Sequence, residues 1–399
     1  MSIFLGVLIG IFCLMFLITA HEFGHFIMAR RNGIRVLEFG ICFPPRAIAW
    51  KKGKDGKWHK LPKSEWDKPQ DSLVFSLNWL PIGGFCQMDG ETDTDTRKGT
   101  FGAASFKSKT KVLLAGVAAN WIIAIIIFTI LAWTGMPQFI DNQFKIDPDT
   151  KINYGTTVIT DVQEESPASK AGIKKGDKIL KVNGEVLDTA AQVAEYNKNH
   201  AGENIIYTIE HEDANCTEDI AVTLNPADSE YLLGVSMGST QTLAYSTWSA
   251  PIVGVGTTVQ LTAETYRGLG EMLWNLVSGA AKQISFDGAT REDGRKDIAK
   301  AGDSVSGPVG IVGVLFPAFA KAGLTNLAFL LALISVSLAC MNILPIPALD
   351  GGRWFMMAIC RLRGKKLDKE TEERVVAKSL KILLILIAII TFLDILRMF

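Results

Sequence analysis

Long apolar runs and polar stretches alternate along the chain, and the runs are of membrane length. From Ile3 to Ala20 no side chain is charged, and Ile, Leu, Phe and Val predominate, about the length needed to cross the hydrocarbon of a bilayer. The pattern continues to Ile27, and Val112 to Trp133, Leu324 to Leu344 and Leu380 to Leu396 share it, so four transmembrane helices are expected. No Lys or Arg precedes the first run, and its apolar character persists past Phe26. It therefore reads as a retained span rather than a cleaved signal peptide.

Between the first two runs the period changes. VLEFGICF and SLVFSLNWLPIGGF are rich in β-branched and aromatic residues, stand beside Pro or Gly, and are separated by a charged stretch, which are hairpin signals. Strand edges at membrane depth are tolerated only where protein or a water-filled cavity receives them. Thr157 to Leu224 alternates like a β-rich domain with one short helix in SPASKAGIKKGD, and Asp213 to Cys216 reads as a hairpin tip. Thr257 to Lys282 carries Leu261, Leu269, Met272, Leu273 and Leu276 at helical spacing, mixed with Glu264, Arg267 and Glu271. That mixture suits a surface or interfacial helix, and the polar stretch from Ser285 to Ser304 is expected to be a loop. The expected organisation is residues 1–135 with two spans and a membrane-associated β-hairpin element, 150–226 as an inserted α+β domain, 227–322 as an interfacial connecting region, and 323–399 with the last two spans.

Composition agrees with a mixed architecture: 48% of the 399 residues are hydrophobic, yet 21% are charged. Lys plus Arg and Asp plus Glu balance at 41 each, which argues against nucleic acid as a partner. Basic residues also orient the chain. Ten lie between Arg30 and Lys63 and seven between Arg353 and Arg374, so both stretches are expected in the cytoplasm, with Gly135 to Ala322 outside. The six cysteines form no CxxC and no disulfide framework, and Cys216 reads as a lone thiol.

The first span ends in an unusual way, with HEFGH. His21 and His25, four residues apart, stack on one helix face where both imidazoles can reach one metal ion, and Glu22 beside them is placed to take a proton from water. A catalytic zinc needs a third protein ligand and an open position. The third span ends in MNILPIPALDGGRW, where Pro345 and Pro347 break the helix and Gly351 and Gly352 permit close turns. Asp350 thereby falls at the same membrane depth as HEFGH and is the candidate third ligand; standing alone it would read as a turn or cap aspartate.

These residues resemble the site-2 protease family of intramembrane zinc metalloproteases, and within it the bacterial regulator-of-sigma-E branch. The resemblance rests on HEFGHFIMARRNGI, FSLNWLPIGGFCQMDGE, AGVAANW, SGPVGIVG, NILPIPALDGG and DILR, and it spans nearly the whole chain. It implies an α-helical membrane protein of four spans in the bacterial inner membrane. His21, His25 and Asp350 would hold Zn2+, and Glu22 would be the base. Asn342, with Gly83 and Gly84 of a membrane-dipping β-element, would bind the substrate backbone. It also implies a substrate: the membrane span of a single-span protein, such as a trimmed anti-sigma factor or a remnant signal peptide. Thr157 to Leu224 resembles a circularly permuted bacterial PDZ domain, outside the cytoplasm, which would either capture a chain terminus by strand addition or exclude bulky substrates; the size filter is the favoured of the two. The β-element could likewise simply plug the site. FGICFPP lacks the usual glycine before its first proline, and Lys51 to Gln70 is longer and more polar than the family pattern.

Rival readings are weaker. GVSMG at Gly234 to Gly238 matches G-x-S-x-G but needs a strand-to-helix turn and a histidine partner. TDTDTRKG at Thr92 to Gly99 lacks the glycine and glutamate of a calcium loop. A membrane-anchored scaffold gives no reason for HEFGH to share its depth with Asp350, and a zinc transporter would need further ionisable groups along a path.

Overall fold

The computed structural model describes the chain apart from Met1, Lys54, Asp67, Pro69, Asp71, Asp141, residues 212–215, Glu230, Thr240, Phe286, residues 304–306, residues 365–366 and Phe399. The expected hairpin tip at Asp213 to Cys216 lies, apart from Cys216, outside the described residues. In chain order the elements are α1 (Ile3–Arg31), β1 (Val36–Lys52), β2 (Trp58–Lys60), β3 (Val74–Met88), α2 (Phe106–Thr134), β4 (Met136–Pro137), β5 (Lys151–Asn153), β6 (Thr157–Val162), α3 (Pro167–Lys170), β7 (Lys178–Val182), α4 (Ala190–Asn199), β8 (Asn204–Glu210), β9 (Thr217–Thr223), β10 (Val235–Ser239) and β11 (Leu243–Tyr245). Then follow α5 (Ala250–Gln283), α6 (Gly288–Asp303), α7 (Pro308–Gly310), a π-helical turn at Ile311–Leu315, α8 (Phe316–Lys321), α9 (Leu324–Asn342), α10 (Asp350–Leu362) and α11 (Lys369–Met398). Among the described residues four helices, α1, α2, α9 and α11, are long and apolar enough to cross a membrane. The chain divides into two compact units, residues 1–130 with 254–399, and residues 131–253.

In the first unit, α1 packs through a stripe rather than through its apolar bulk. Its buried residues are Gly6, Gly10, Leu17, His21, His25 and Ala29, one helix face. A Cβ on Gly6 would lie 2.5 Å from Pro317 Cα, and one on Gly10 would lie 2.9 Å from the Phe316 ring, so the α8 segment sits directly on the helix backbone. α9 ends at Asn342, two residues short of the expected limit, and α11 begins at Lys369, well before the expected Leu380. Its charged first turns extend the helix beyond the stretch that hydropathy alone marks.

β1 and β3 are long, and both double back. Glu38 to Ile41 pair with Val74 to Leu77 on one side and with Gly84 to Gln87 on the other, while Ile48 to Lys51 pair with Val74 to Leu77. Three strands thus make five ribbons, with β2 on one flank and Gly84 to Met88 on the other. The bend between the two halves of β3 exposes Trp79, Leu80 and Ile82, and Phe43 of β1 is exposed with them.

The stretch after Ser285 corrects the sequence expectation: Gly288–Asp303 is helix, not loop. It has too few apolar residues to show a period, and polar contacts hold it instead. The Asp287 carboxylate accepts from the Thr290 backbone N–H, Lys296 pairs with Glu292 one turn away, and Asp297 accepts from Ser278 and Lys282 of α5.

The second unit holds a five-stranded antiparallel sheet of order β10-β6-β7-β8-β9, with α3 and α4, and a small β4-β11-β5 sheet. Alternation along β8 buries Ile205, Tyr207 and Ile209 against Ile159, Ile179, Val193 and Val222. Thr189 and Gln192 form a reciprocal capping box on α4, and the Tyr207 hydroxyl donates to Asn197 Oδ1 at 2.6 Å, fixing that helix to the sheet. β10 lies beyond residue 226, where the sequence suggested that the domain stops; Gly238 hides the alternation of a strand. Ser236 of GVSMG is exposed in this strand, opposite Asp161, with no strand-to-helix turn, so the serine-hydrolase motif has no structural support.

Candidate functional site

His21 and His25 are both buried on the packed stripe of α1, one helical turn apart. Asp350 reaches them from the first turn of α10. Its Oδ2 lies 3.0 Å from His21 Nε2 and 3.1 Å from His25 Nε2, and the two nitrogens are 3.1 Å apart. Glu22 stands beside this triangle, within 4.8 Å of the imidazole nitrogens, and the Cys86 backbone of β3 faces its carboxylate.

The turn that delivers Asp350 is built on backbone contact. From Asn342, the last residue of α9, the chain passes through Pro345 and Pro347, and Ile346 and Leu349 donate to the carbonyls of Leu344 and Ile346. A Cβ on Gly351 would collide with the Ile343 carbonyl, and one on Gly352 with the Ile346 carbonyl, so only glycine fits at either place. α10 is then tied outward: Trp354 Nε1 donates to Thr110 at 2.9 Å, Arg353 to the Glu91 carbonyl at 2.8 Å, and Arg361 to Asp93 at 3.0 Å. Asp93 also pairs with the fully buried Lys109 at 2.5 Å, and Asp95 pairs with Arg97 at 2.6 Å. Cations of the chain itself therefore occupy the acidic side chains of Thr92 to Gly99.

The donor set fits a divalent cation. His25 Nδ1–H donates to the Val112 carbonyl at 2.8 Å, so in the neutral ring Nε2 carries a lone pair. That lone pair faces a carboxylate oxygen and a second imidazole nitrogen, and a proton can bridge only one pair of the three. Tetrahedral zinc with ligands at about 2.0–2.1 Å separates its donors by roughly 3.4 Å, close to the separations seen.

Of the other residues expected to act, Gly83 and Gly84 lie in β3 against α1. A Cβ on Gly83 would be 2.7 Å from Ile18 Cγ2, and one on Gly84 would be 3.2 Å from Thr19 Oγ1, two residues before His21. Asn342 is half-buried at the end of α9, and its side chain has no hydrogen-bond partner among the described residues.

Sequence reasoning gave no role to the face of α2 that closes the site. Val112, Gly116 and Asn120 recur every fourth residue. Val112 supplies the carbonyl on His25, and a Cβ on Gly116 would lie 2.5 Å from His21 Cε1 and 2.6 Å from His25 Nε2. A glycine and an asparagine four apart in an apolar span are the signal that was available.

Three comparisons bear on the chain. The model of the family described as Peptidase family M50 matches residues 9–386. A putative zinc metalloprotease of Clostridium acetobutylicum is 28% identical over 98% of both chains, and the regulator of sigma-W protease RasP of Bacillus subtilis is 25% identical over 96% of both. A solved PDZ domain of an SdrC-like protein from Listeria innocua is 20% identical, covers 21% of this chain and 92% of its own, and has a TM-score of 0.18, too low to bear on the fold.

Proposed function

The chain belongs to peptidase family M50 and is a zinc metalloprotease of the membrane, and from that premise we propose that it cuts the transmembrane segments of single-span proteins with His21, His25 and Asp350 as zinc ligands and Glu22 as base. The observation that carries this reading is the triangle of donors at 3.0–3.1 Å beside Glu22 on an apolar span. Bound Zn2+ supplies Lewis acidity, polarising a peptide carbonyl and making water a stronger acid. Glu22 takes the proton of the attacking water and returns it to the leaving amine. A helical span has its carbonyls engaged, so the substrate must unwind before attack. The outer ribbon Gly84 to Met88 pairs on one side with β1 and has no described strand on the other, which supports pairing with an extended substrate there. Gly83 and Gly84 let that ribbon approach α1, and the Asn342 amide holds the substrate backbone. The apolar bend of β3 suits a membrane-dipping element.

Charge distribution supports residues 30–63 and 353–374 in the cytoplasm, with the second unit outside the inner membrane of a bacterium. That unit contains none of the four site residues, so it acts on access or capture. A groove of about 360 Å3 between α4 and β10, lined by Ala194, Asn197, Leu233, Val235 and Met237, supports capture of a chain terminus by a PDZ-type domain over a plain size filter. The substrate that follows is a single-span protein already trimmed outside, such as an anti-sigma factor or a remnant signal peptide.

Glu22→Gln tests the chemistry: purified variant protein is expected to keep its zinc and lose at least about 10³-fold in cleavage of a model transmembrane substrate. Near wild-type cleavage would refute the mechanism. Deleting residues 155–239 separates the two roles of the outer domain. Slower cleavage of trimmed substrates is expected for capture, whereas new cleavage of untrimmed ones would establish the filter.

A further inference from the structure

We infer that Asn120 is a positioning residue for the metal centre: its amide oxygen accepts the Nδ1–H of His21 and fixes the ring that presents Nε2 to zinc. The inference rests on His21 being a ligand, as proposed above.

Asn120 lies in the middle of α2 and is wholly buried. Its Nδ2 is 3.5 Å from His21 Nδ1, and its Oδ1 is buried with no partner among the described residues. His21 Nε2 faces Asp350 and His25 and must carry a lone pair to bind a cation. The ring hydrogen is then on Nδ1, opposite two amide hydrogens, while an acceptor is left idle. A half-turn of the amide exchanges its two ends without moving another atom and places the acceptor on the donor. The far oxygen has no donor among the described residues, so nothing there holds the amide against the half-turn that the contact with His21 favours.

The rest of α2 agrees. Val112 already does the same for His25 through a main-chain carbonyl at 2.8 Å. Gly116, between the two, has no side chain to keep α2 from the rings. The Ser335 hydroxyl donates to the Asn120 carbonyl at 2.8 Å, holding this turn of α2 to α9. One helix face therefore supplies the outer partner of each imidazole, one from backbone and one from a side chain. Ligating histidines ordinarily hold their second nitrogen in this way, and losing the partner costs about 10–100-fold in metal affinity or activity.

The test is zinc affinity in detergent, by competition with a chromophoric chelator, together with the visible spectrum of the Co2+-substituted protein. Asn120→Ala and the volume-matched Asn120→Leu are expected to weaken zinc by about 10–100-fold and to change the Co2+ bands. Asn120→Asp, which keeps an acceptor, is expected to restore both. Unchanged affinity and spectrum in Asn120→Ala or Asn120→Leu, with equal loss of thermal stability in zinc-free and zinc-loaded protein, would make Asn120 a packing residue and overturn the inference, as would failure of Asn120→Asp to restore affinity. His21→Ala in the same titration keeps the two ideas apart: wild-type zinc affinity there would refute His21 as a ligand whatever Asn120 does.

Discussion

α1 and α11 are spans of 29 and 30 residues, both apolar enough to cross a bilayer, and they are held in opposite ways. α1 touches the protein along its length through glycines, histidines and Ala29. Among the described side chains of α11, the buried ones are two carboxylates, Glu372 near one end and Asp394 near the other. Glu372 accepts from the Asp93 backbone N–H and from Arg353, while Asp394 accepts from the backbone N–H groups of Gly307 and Gly310. Between these pins the helix presents Leu, Ile and Phe outward. Hydropathy says that a segment enters the membrane; its small and polar residues say what it packs against there. In lipid an apolar surface gains little by meeting another, so contact is decided by close backbone approach and by polar pairs.

Substitutions can break this contrast. The largest effect is expected at Gly24 of α1, where a Cβ would collide with the Ala115 carbonyl of α2. Gly24→Leu should push the two helices apart beside the imidazoles and lower cleavage by about 10²-fold or more, since displacements near 1 Å cost that much; an assay on a model transmembrane substrate reads it. Asp394→Ala comes next. It strands two backbone N–H groups and is expected to destabilise the protein by about 1–3 kcal/mol in a denaturation titration in mixed micelles, with zinc content unchanged.

Ile385→Ala and Ile389→Ala sharpen the contrast from the other side. These residues are 60% and 53% exposed, so each change should fall within about 0.5 kcal/mol. A loss of several times that would mean that another chain covers α11. The smallest effect concerns pH. Hydrogen bonds from Arg97 hold the Asp95 carboxyl down at about 2, below the unfolded value of about 3.9. The contribution is present above that unfolded value and is lost as pH falls towards the folded one. The difference in melting temperature between wild type and Arg97→Ala should therefore shrink between about pH 5 and pH 2.

The convergence of His21, His25 and Asp350 was legible because residues four apart share one helix face, and because Asp350 stands between the prolines and the glycines that end a span. Val112 and Gly116 were not legible as partners of that site. One acts through a carbonyl that every residue has, the other through the absence of a side chain. The spans were found from hydropathy, yet α6 was missed because a helix held by ion pairs shows no apolar period, and β10 because Gly238 interrupts its alternation. The doubled β1 and β3 looked like one hairpin, since pairing on both sides of a strand leaves no mark on the strand itself.

The turn between Asn342 and Asp350 has a consequence for how such an enzyme can change. Gly351 and Gly352 are pressed against the carbonyls of Ile343 and Ile346, which are main-chain atoms that no second mutation can trim. Elsewhere an enlarged side chain can be accommodated by shrinking its neighbour. Here the path is closed, so the spacing of these two residues behaves as a fixed part. Change around this turn is left to positions where side chain meets side chain.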